Sequence, residues 1–192
     1  IAENFYPERA DFTSSRNLGL DFASHLDTSY PIIARRELGN AFGAILRPST
    51  KDWFHIRAKR QTIEDEAARQ WMEMAERTQR RAMYDRESGF VRATKEGDHD
   101  FAAFGQCAIS VDLAESPVSG PILLHRCWHL RDMAWCENSW GKITTVFREW
   151  TPTARELVAY FPGKVHENVV KLLDKEPYTK VRVWHVVMAY DD

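Results

Sequence analysis

The chain has 192 residues, 44% of them hydrophobic and 28% charged, with a formal net charge of −2. That length fits one domain or a domain with an appended lobe, able to bury a substantial core without disulfides or metals. The near-neutral balance, with acidic and basic residues interleaved, excludes a global field for nucleic acid or anionic membrane.

Residues 1–28 have weak periodicity and contain Pro7 and the Thr13-Ser14-Ser15 cluster, which predicts an irregular leading segment with a short helix near Leu20. A helix is expected from about Tyr30 to Leu46. Ser29 can cap it, and Pro31 is tolerated in the first turn because its missing N–H has no helical partner there. Ala34, Leu38, Ala41 and Ile45 fall on one face. Gly39 and Gly43 sit one turn apart and each lowers helix propensity by about 1 kcal/mol, so another element is expected to pack closely against them. Pro48 ends the helix. Trp53-Phe54-His55-Ile56-Arg57 then reads as a strand. This helix, break and aromatic anchor is a packing joint without catalytic character, expected to fail in folding or assembly when Gly43 or Trp53 is replaced.

Thr62 and Asp65 form a capping box for a second helix whose stripe is Ile63, Ala67, Trp71, Met74, Thr78 and Ala82. Acidic residues Glu64, Asp65 and Glu66 open it and Arg77, Arg80 and Arg81 close it, matching the helix dipole. The arginines read as a solvated face, interrupted by Glu73 and Glu76, in preference to a phosphate-binding patch. A third helix is expected from about Ser88 to Phe104, weakened by Gly97, with Gly105 as its C′ residue. Strands follow at 107–111, 122–128, 133–136 and 143–148, the last two joined by Asn138-Ser139-Trp140-Gly141, a hairpin signal. Thr151 with Pro152 caps a helix ending near Phe161-Pro162-Gly163, and a short helix runs from Val165 to Leu173. The chain closes on a strand from Lys180 to Met188, apolar on both faces from Val183 onward, which predicts a central strand covered on both sides. N-terminal helices followed by a mostly antiparallel sheet with inserted short helices define an α+β fold. Residues 1–192 read as a single region without repeats or linker.

Little in the sequence carries chemistry. Cys107, Cys127 and Cys136 are an odd set without CxxC spacing, which fits a reducing compartment better than a disulfide framework. His125, Cys127 and His129 alternate, so in one strand they project from the same face. With Cys107 or Cys136 they could complete a tetrahedral zinc site, although core packing is the commoner use of such a pattern. Gly141-Lys142 with Thr144 lacks the GxxxxGK[ST] of a phosphate loop. Asp98-His99-Asp100 has no nucleophile tied to it and reads as helix surface. Neither a GxSxG, an HExxH, a dinucleotide fingerprint nor an EF-hand loop occurs. No apolar run approaches the ~20 residues of a membrane span, and the N-terminal IAENFYPERADF lacks the regions of a signal peptide. Both ends look cut, since Ile1 is not an initiator Met and the chain stops just after a strong strand; a longer protein is expected. Seven tryptophans suit broad packed surfaces, in a core or between subunits.

Three groups of residues form a pattern in their order. The first is Leu38, Gly39, Gly43, Pro48, Ser49, Trp53 and Phe54. The second is the acidic-start helix from Glu64, then Phe90 and a helix ending in Phe104-Gly105 before a strand. The third is the hairpin with Gly141, then Val146-Phe147-Arg148-Glu149-Trp150 and Thr153-Ala154-Arg155-Glu156-Leu157. From about Pro7 to Met188 the chain thereby resembles the head-to-tail connecting (portal) proteins of short-tailed bacteriophages and related prophages. The resemblance implies a structural virion protein with neither catalytic activity nor cofactor. Its subunits would form a ring, commonly a dodecamer, at one capsid vertex. DNA would be packaged through that ring by the terminase and leave through it at infection. The implied partners are the chain itself, the capsid protein, the terminase and a tail adaptor, with no membrane; assembly would take place in the host cytoplasm. By analogy residues 1–192 correspond to the wing, with the channel-lining stem and clip expected further along a longer chain. The near-neutral charge agrees in that this region is not the main DNA-facing surface, since tight backbone contact needs clustered Lys and Arg. Two readings compete with this one: a small cytoplasmic α+β enzyme of unidentified activity, and a zinc-binding module using His125, Cys127 and His129.

Overall fold

A computed structural model of the chain describes residues 1–12, 19, 21–48, 51–57, 65–116 and 120–189. The helices and antiparallel sheets make an α+β fold, divided into two compact units, Ile1–His129 and Leu130–Asp192.

The first unit opens with a single helical turn, α1 (Ala2–Phe5), and a 3-10 turn at Pro7–Arg9; the helix expected near Leu20 lies outside the described residues. Its body is α2 (Tyr30–Leu46), α3 (Glu66–Met83) and α4 (Phe90–Phe104), followed by an antiparallel pair, β1 (Ala108–Ser116) and β2 (Gly120–Trp128). Helix α2 has Pro31 in its first turn as expected, but Ser29 makes no side-chain cap, and the Tyr30 N–H donates to Thr28 Oγ1 at 3.3 Å.

The face that α2 buries is not the aliphatic one. Leu38 and Ile45 stay exposed, whereas Arg35 and Gly39 are buried and Phe42 meets Phe101 of α4 edge-on at 5.4 Å. The physical reason is proximity. A Cβ on Gly39 would lie 2.2 Å from His99 Nδ1, and one on Gly43 3.2 Å from Asp98 Oδ2. The small residues bring the two helix backbones together, and the larger side chains on the neighbouring face are left outside the contact.

Residues 52–57 do not form the expected strand. They run extended beside α3, whose side chains occupy their polar groups. The Ile56 N–H donates to Glu76 Oε2 at 3.2 Å, His55 Nδ1 lies 3.1 Å from Glu76 Oε1, and Arg80 pairs with Asp52. A helix carboxylate has thus taken the role of a neighbouring strand. Helix α3 starts later than the sequence predicts. Asp65 is itself the N-cap, accepting from the Ala67 N–H at 3.0 Å, and Thr62 of the expected capping box lies outside the described residues. Helix α4 likewise begins at Phe90, after a 3-10 turn at Arg86–Ser88.

The second unit is a three-stranded antiparallel sheet, β3 (Met133–Glu137), β4 (Ile143–Trp150) and β5 (Val183–Met188), in that order across the sheet. Gly141 turns β3 into β4 with φ +69°, a left-handed conformation glycine takes without strain, and its N–H donates to Asn138 O at 2.9 Å. Between β4 and β5 come α5 (Ala154–Tyr160), α6 (Glu167–Val170) and α7 (Leu172–Lys175). The cap of α5 is Thr153, not Thr151. Its hydroxyl accepts from the Glu156 N–H while the Glu156 carboxylate accepts from the Thr153 N–H, a complete capping box. The helix expected at 165–173 breaks into the two short turns α6 and α7.

The last strand corrects the sequence reading most clearly. Among the described residues β5 is an edge strand, paired with β4 alone, and every residue from Trp184 to Met188 is exposed. Lys180 is not part of it and makes one isolated bridge to Thr153. Its apolar character on both faces is real, but among the described residues Trp184 to Met188 are left uncovered on both faces.

Candidate assembly surfaces and the buried joint

The stripe Phe90, Ala93, Gly97, Asp100 and Phe104 runs down α4 at helical spacing. It is the core-facing side of the helix, so an aspartate is carried inside. Asp100 has 0% of its surface exposed, and its neighbour His99 is also buried. This overturns the reading of 98–100 as helix surface. Arg9 Nη2 lies 2.8 Å from Asp100 Oδ2, an ion pair by proximity without hydrogen-bond alignment, and the Cys127 thiol donates to the same oxygen at 3.7 Å. Burial pushes the Asp100 carboxyl up to about 6, against the pull of Arg9 and of the Cys127 bond. Burial also lowers the His99 pKa, helped by Arg35 and Lys95, so His99 is held neutral in the glycine-lined contact. Arg35 donates from Nε to the Phe5 carbonyl at 3.2 Å and stacks over the Tyr6 ring at 3.8 Å. These contacts fasten the N-terminal turns to α2 and α4. The sequence reading missed Arg9, Arg35 and Asp100. The signal for Asp100 was its place on the α4 stripe; the two arginines had none.

Trp53 is the aromatic anchor of the joint. It stacks on Phe90 at 6.2 Å, meets Phe54 edge-on at 4.8 Å, and donates from Nε1 to the Tyr84 hydroxyl at 3.1 Å. Phe54 lies 5.7 Å below the Arg80 guanidinium, and Pro48 follows the end of α2. Gly105 closes α4 in a left-handed conformation, its N–H donating to Phe101 O at 2.9 Å. Gly141 and Arg148 belong to the second unit, where the Arg148 guanidinium lies 5.6 Å from the Trp150 ring centroid.

His125, Cys127 and His129 are engaged separately. His125 Nδ1 lies 3.2 Å from the Ser88 carbonyl, which can only accept, so this nitrogen carries the hydrogen. The ring also meets Phe90 edge-on at 5.2 Å. Cys127 points at Asp100, with its pKa pushed up to about 12 by burial and then by Asp100, the opposite of a thiolate ligand's needs. His129 lies beyond β2, with Nε2 3.2 Å from Asp11 Oδ1. Among the described residues no three His, Cys, Asp or Glu side chains come together as a metal site.

Three surfaces are apolar and open. On β1, Leu113 is 79% exposed, beside exposed Val111 and opposite Leu123. On α3, Trp71 and Met74 stand out from a helix with no buried residue. On β5, Trp184, Val186, Val187 and Met188 are exposed across both faces. Against these, the buried hydrophobic side chains among the described residues are Phe90, Ala93, Leu130, Ala154 and Leu157, besides Pro7 and Pro152. Open apolar patches of this kind are candidate contact surfaces for other protein.

An α+β chain with an interior of packing contacts and with wide apolar faces is an assembly component, a piece of a larger structure. Comparison with known families identifies which. The family model for bacteriophage head to tail connecting protein matches residues 1–192, the whole chain, and the chain belongs to that family. No curated protein matches it at a significant level. It is therefore a structural connector of the phage virion, built to assemble with head and tail proteins. No described helix is long and apolar enough to cross a membrane.

Proposed function

We propose that the chain is the wing-like part of a portal subunit, and that copies of it form the ring, a dodecamer by family resemblance, through which phage DNA is packaged and ejected.

 Several observations support the reading. The family match spans both units, so each belongs to the connector. The open apolar faces on β1, α3 and β5 suit a subunit that is flanked on several sides. The described residues bring α2 and α4 into close contact at Gly39 and Gly43, which fits a part that holds shape under the load of packaging. The partners on this reading are further copies of the chain, the capsid protein, the terminase and a tail adaptor, at a capsid vertex after assembly in the host cytoplasm. DNA passes through the channel without tight contact here, since the net charge is −2.

The single observation that carries the proposal is the family match over the whole chain. Electron microscopy of the complete gene product tests it. Rings with a central hole are expected; a monomer at every concentration tried would overturn the ring.

A further inference from the structure

One face of β1 carries Ile109, Val111, Leu113 and Glu115, since alternate residues of a strand share a side. Near α4 this face is occupied: Ile109 lies against Gly97. Further along the strand, Leu113 is exposed and Glu115 makes no ion pair among the described residues. The outer stretch of the hairpin is therefore an apolar knob beside a negative charge that has no ion pair among the described residues.

The same unit holds a groove of about 250 Å³ between α2 and α4. Gly39, Gly43, Ala44 and Thr94 line it with small side chains, so its floor is close to the helix backbones. That volume is several times the ~30 Å³ of a water molecule, enough for an aliphatic side chain. Most charges around it are matched within the chain: Arg47 with Asp98, and Arg92 with Glu96. Lys95, which also lines the groove, makes no ion pair among the described residues. The groove thus has a small-residue floor, with Asn40 and the Arg47–Asp98 pair also lining it, beside a positive charge that has no ion pair among the described residues.

We infer that the β1–β2 hairpin of one copy seats Leu113 in the α2–α4 groove of a second copy, with Glu115 against Lys95. The inference rests on the ring reading above and deepens it by naming one contact between neighbours. Knob and groove are different patches of the same unit, so the contact is heterologous, the kind that closes a ring by rotation. It is one part of an interface, because a stable one buries about 1,200–2,000 Å² in total. The charge pair sets register and partner choice more than affinity.

The test is charge reversal in the complete connector, with the ring fraction measured by mass photometry at one fixed concentration. Glu115→Lys and Lys95→Glu, both at exposed positions, are each expected to lower the ring fraction at least tenfold. The double variant, which restores the pair in reverse, is expected to recover most of it. Leu113→Asp removes the knob and is expected to give the same loss without rescue by Lys95→Glu. Wild-type rings together with undiminished rings in either charge variant would overturn the contact, as would a double variant that fails to recover. A wild type that forms no rings would overturn the ring reading itself, and this contact with it.

Discussion

The two units solve the same problem differently. The first has an interior: Phe90 and Ala93 lie under buried Arg35, Ser88, His99, Asp100 and His125, and glycines set the helix spacing. The second buries Leu130, Pro152, Ala154 and Leu157, while its sheet leaves β5 open on its edge and faces. A sheet of three strands needs cover on at least one face to be stable. The difference teaches that the first unit is specified from within, by a polar joint that tolerates little change. The second is specified in part by whatever lies against it. Substitutions in the buried joint of the first should therefore act on folding, and those on the open faces of either unit on assembly.

The largest expected effect is Gly39→Leu. Even a Cβ meets the buried His99 ring at 2.2 Å, so the helices must separate, and a loss of about 3 kcal/mol or more is expected in chemical denaturation. Gly43→Ala separates the two glycines. Its new Cβ meets only the end of the Asp98 side chain at 3.2 Å, and the gain in helix propensity offsets the contact to within about 1 kcal/mol, so folding should tolerate this change, unlike the failure that the sequence alone predicts for Gly43. Equal losses at both positions would contradict the close approach at Gly39.

Asp100 gives a comparable effect as a function of pH. Its carboxyl is raised from 3.8 to about 6 in the folded chain. Between those values the folded state keeps a proton that the unfolded state has released, so stability falls as pH rises through this window, by roughly 3 kcal/mol in all. The groups facing Asp100 are Arg9, Arg35, Tyr6, Cys127, Cys107 and Glu96. Denaturation midpoints measured from pH 4 to pH 6.5 check it: Asp100→Asn should abolish that component of the slope. An unchanged slope in the variant would show that the carboxyl is already ionised at pH 4.

Trp53→Ala removes the stack on Phe90 and the bond to Tyr84, a loss of about 2–3 kcal/mol for a half-buried aromatic. Val187→Lys, on the exposed β5, should change subunit stability by less than about 0.5 kcal/mol while reducing assembly of the complete connector. If it instead unfolds the second unit, β5 has an interior role that its exposure denies.

Much of the architecture was legible because it is written in local chemistry. The helix 30–46 follows from Pro31 and its stop at Pro48, and the β3–β4 hairpin from Asn138 to Gly141. What was not legible depends on contacts distant in sequence. The segment 52–57 looks like a strand, but Glu76 of α3 reaches it first. The apolar run of β5 has the same composition whether a strand is central or merely waiting for cover. Asp100 could be found from the α4 stripe, yet its partner Arg9 lies in an irregular segment with no periodicity to place it. No motif announced the assembly surfaces, because exposed leucine and valine are ordinary residues until burial is known.

If the second unit is completed by its neighbours, its open faces are covered in the assembled connector. Hydrogen exchange of β5 in the complete connector, compared between its assembled and dissociated forms, tests it most directly. Amides of residues 184–188 are expected to exchange at least tenfold more slowly in the assembly. Equal exchange in both forms, with rings present in the assembled sample, would contradict it.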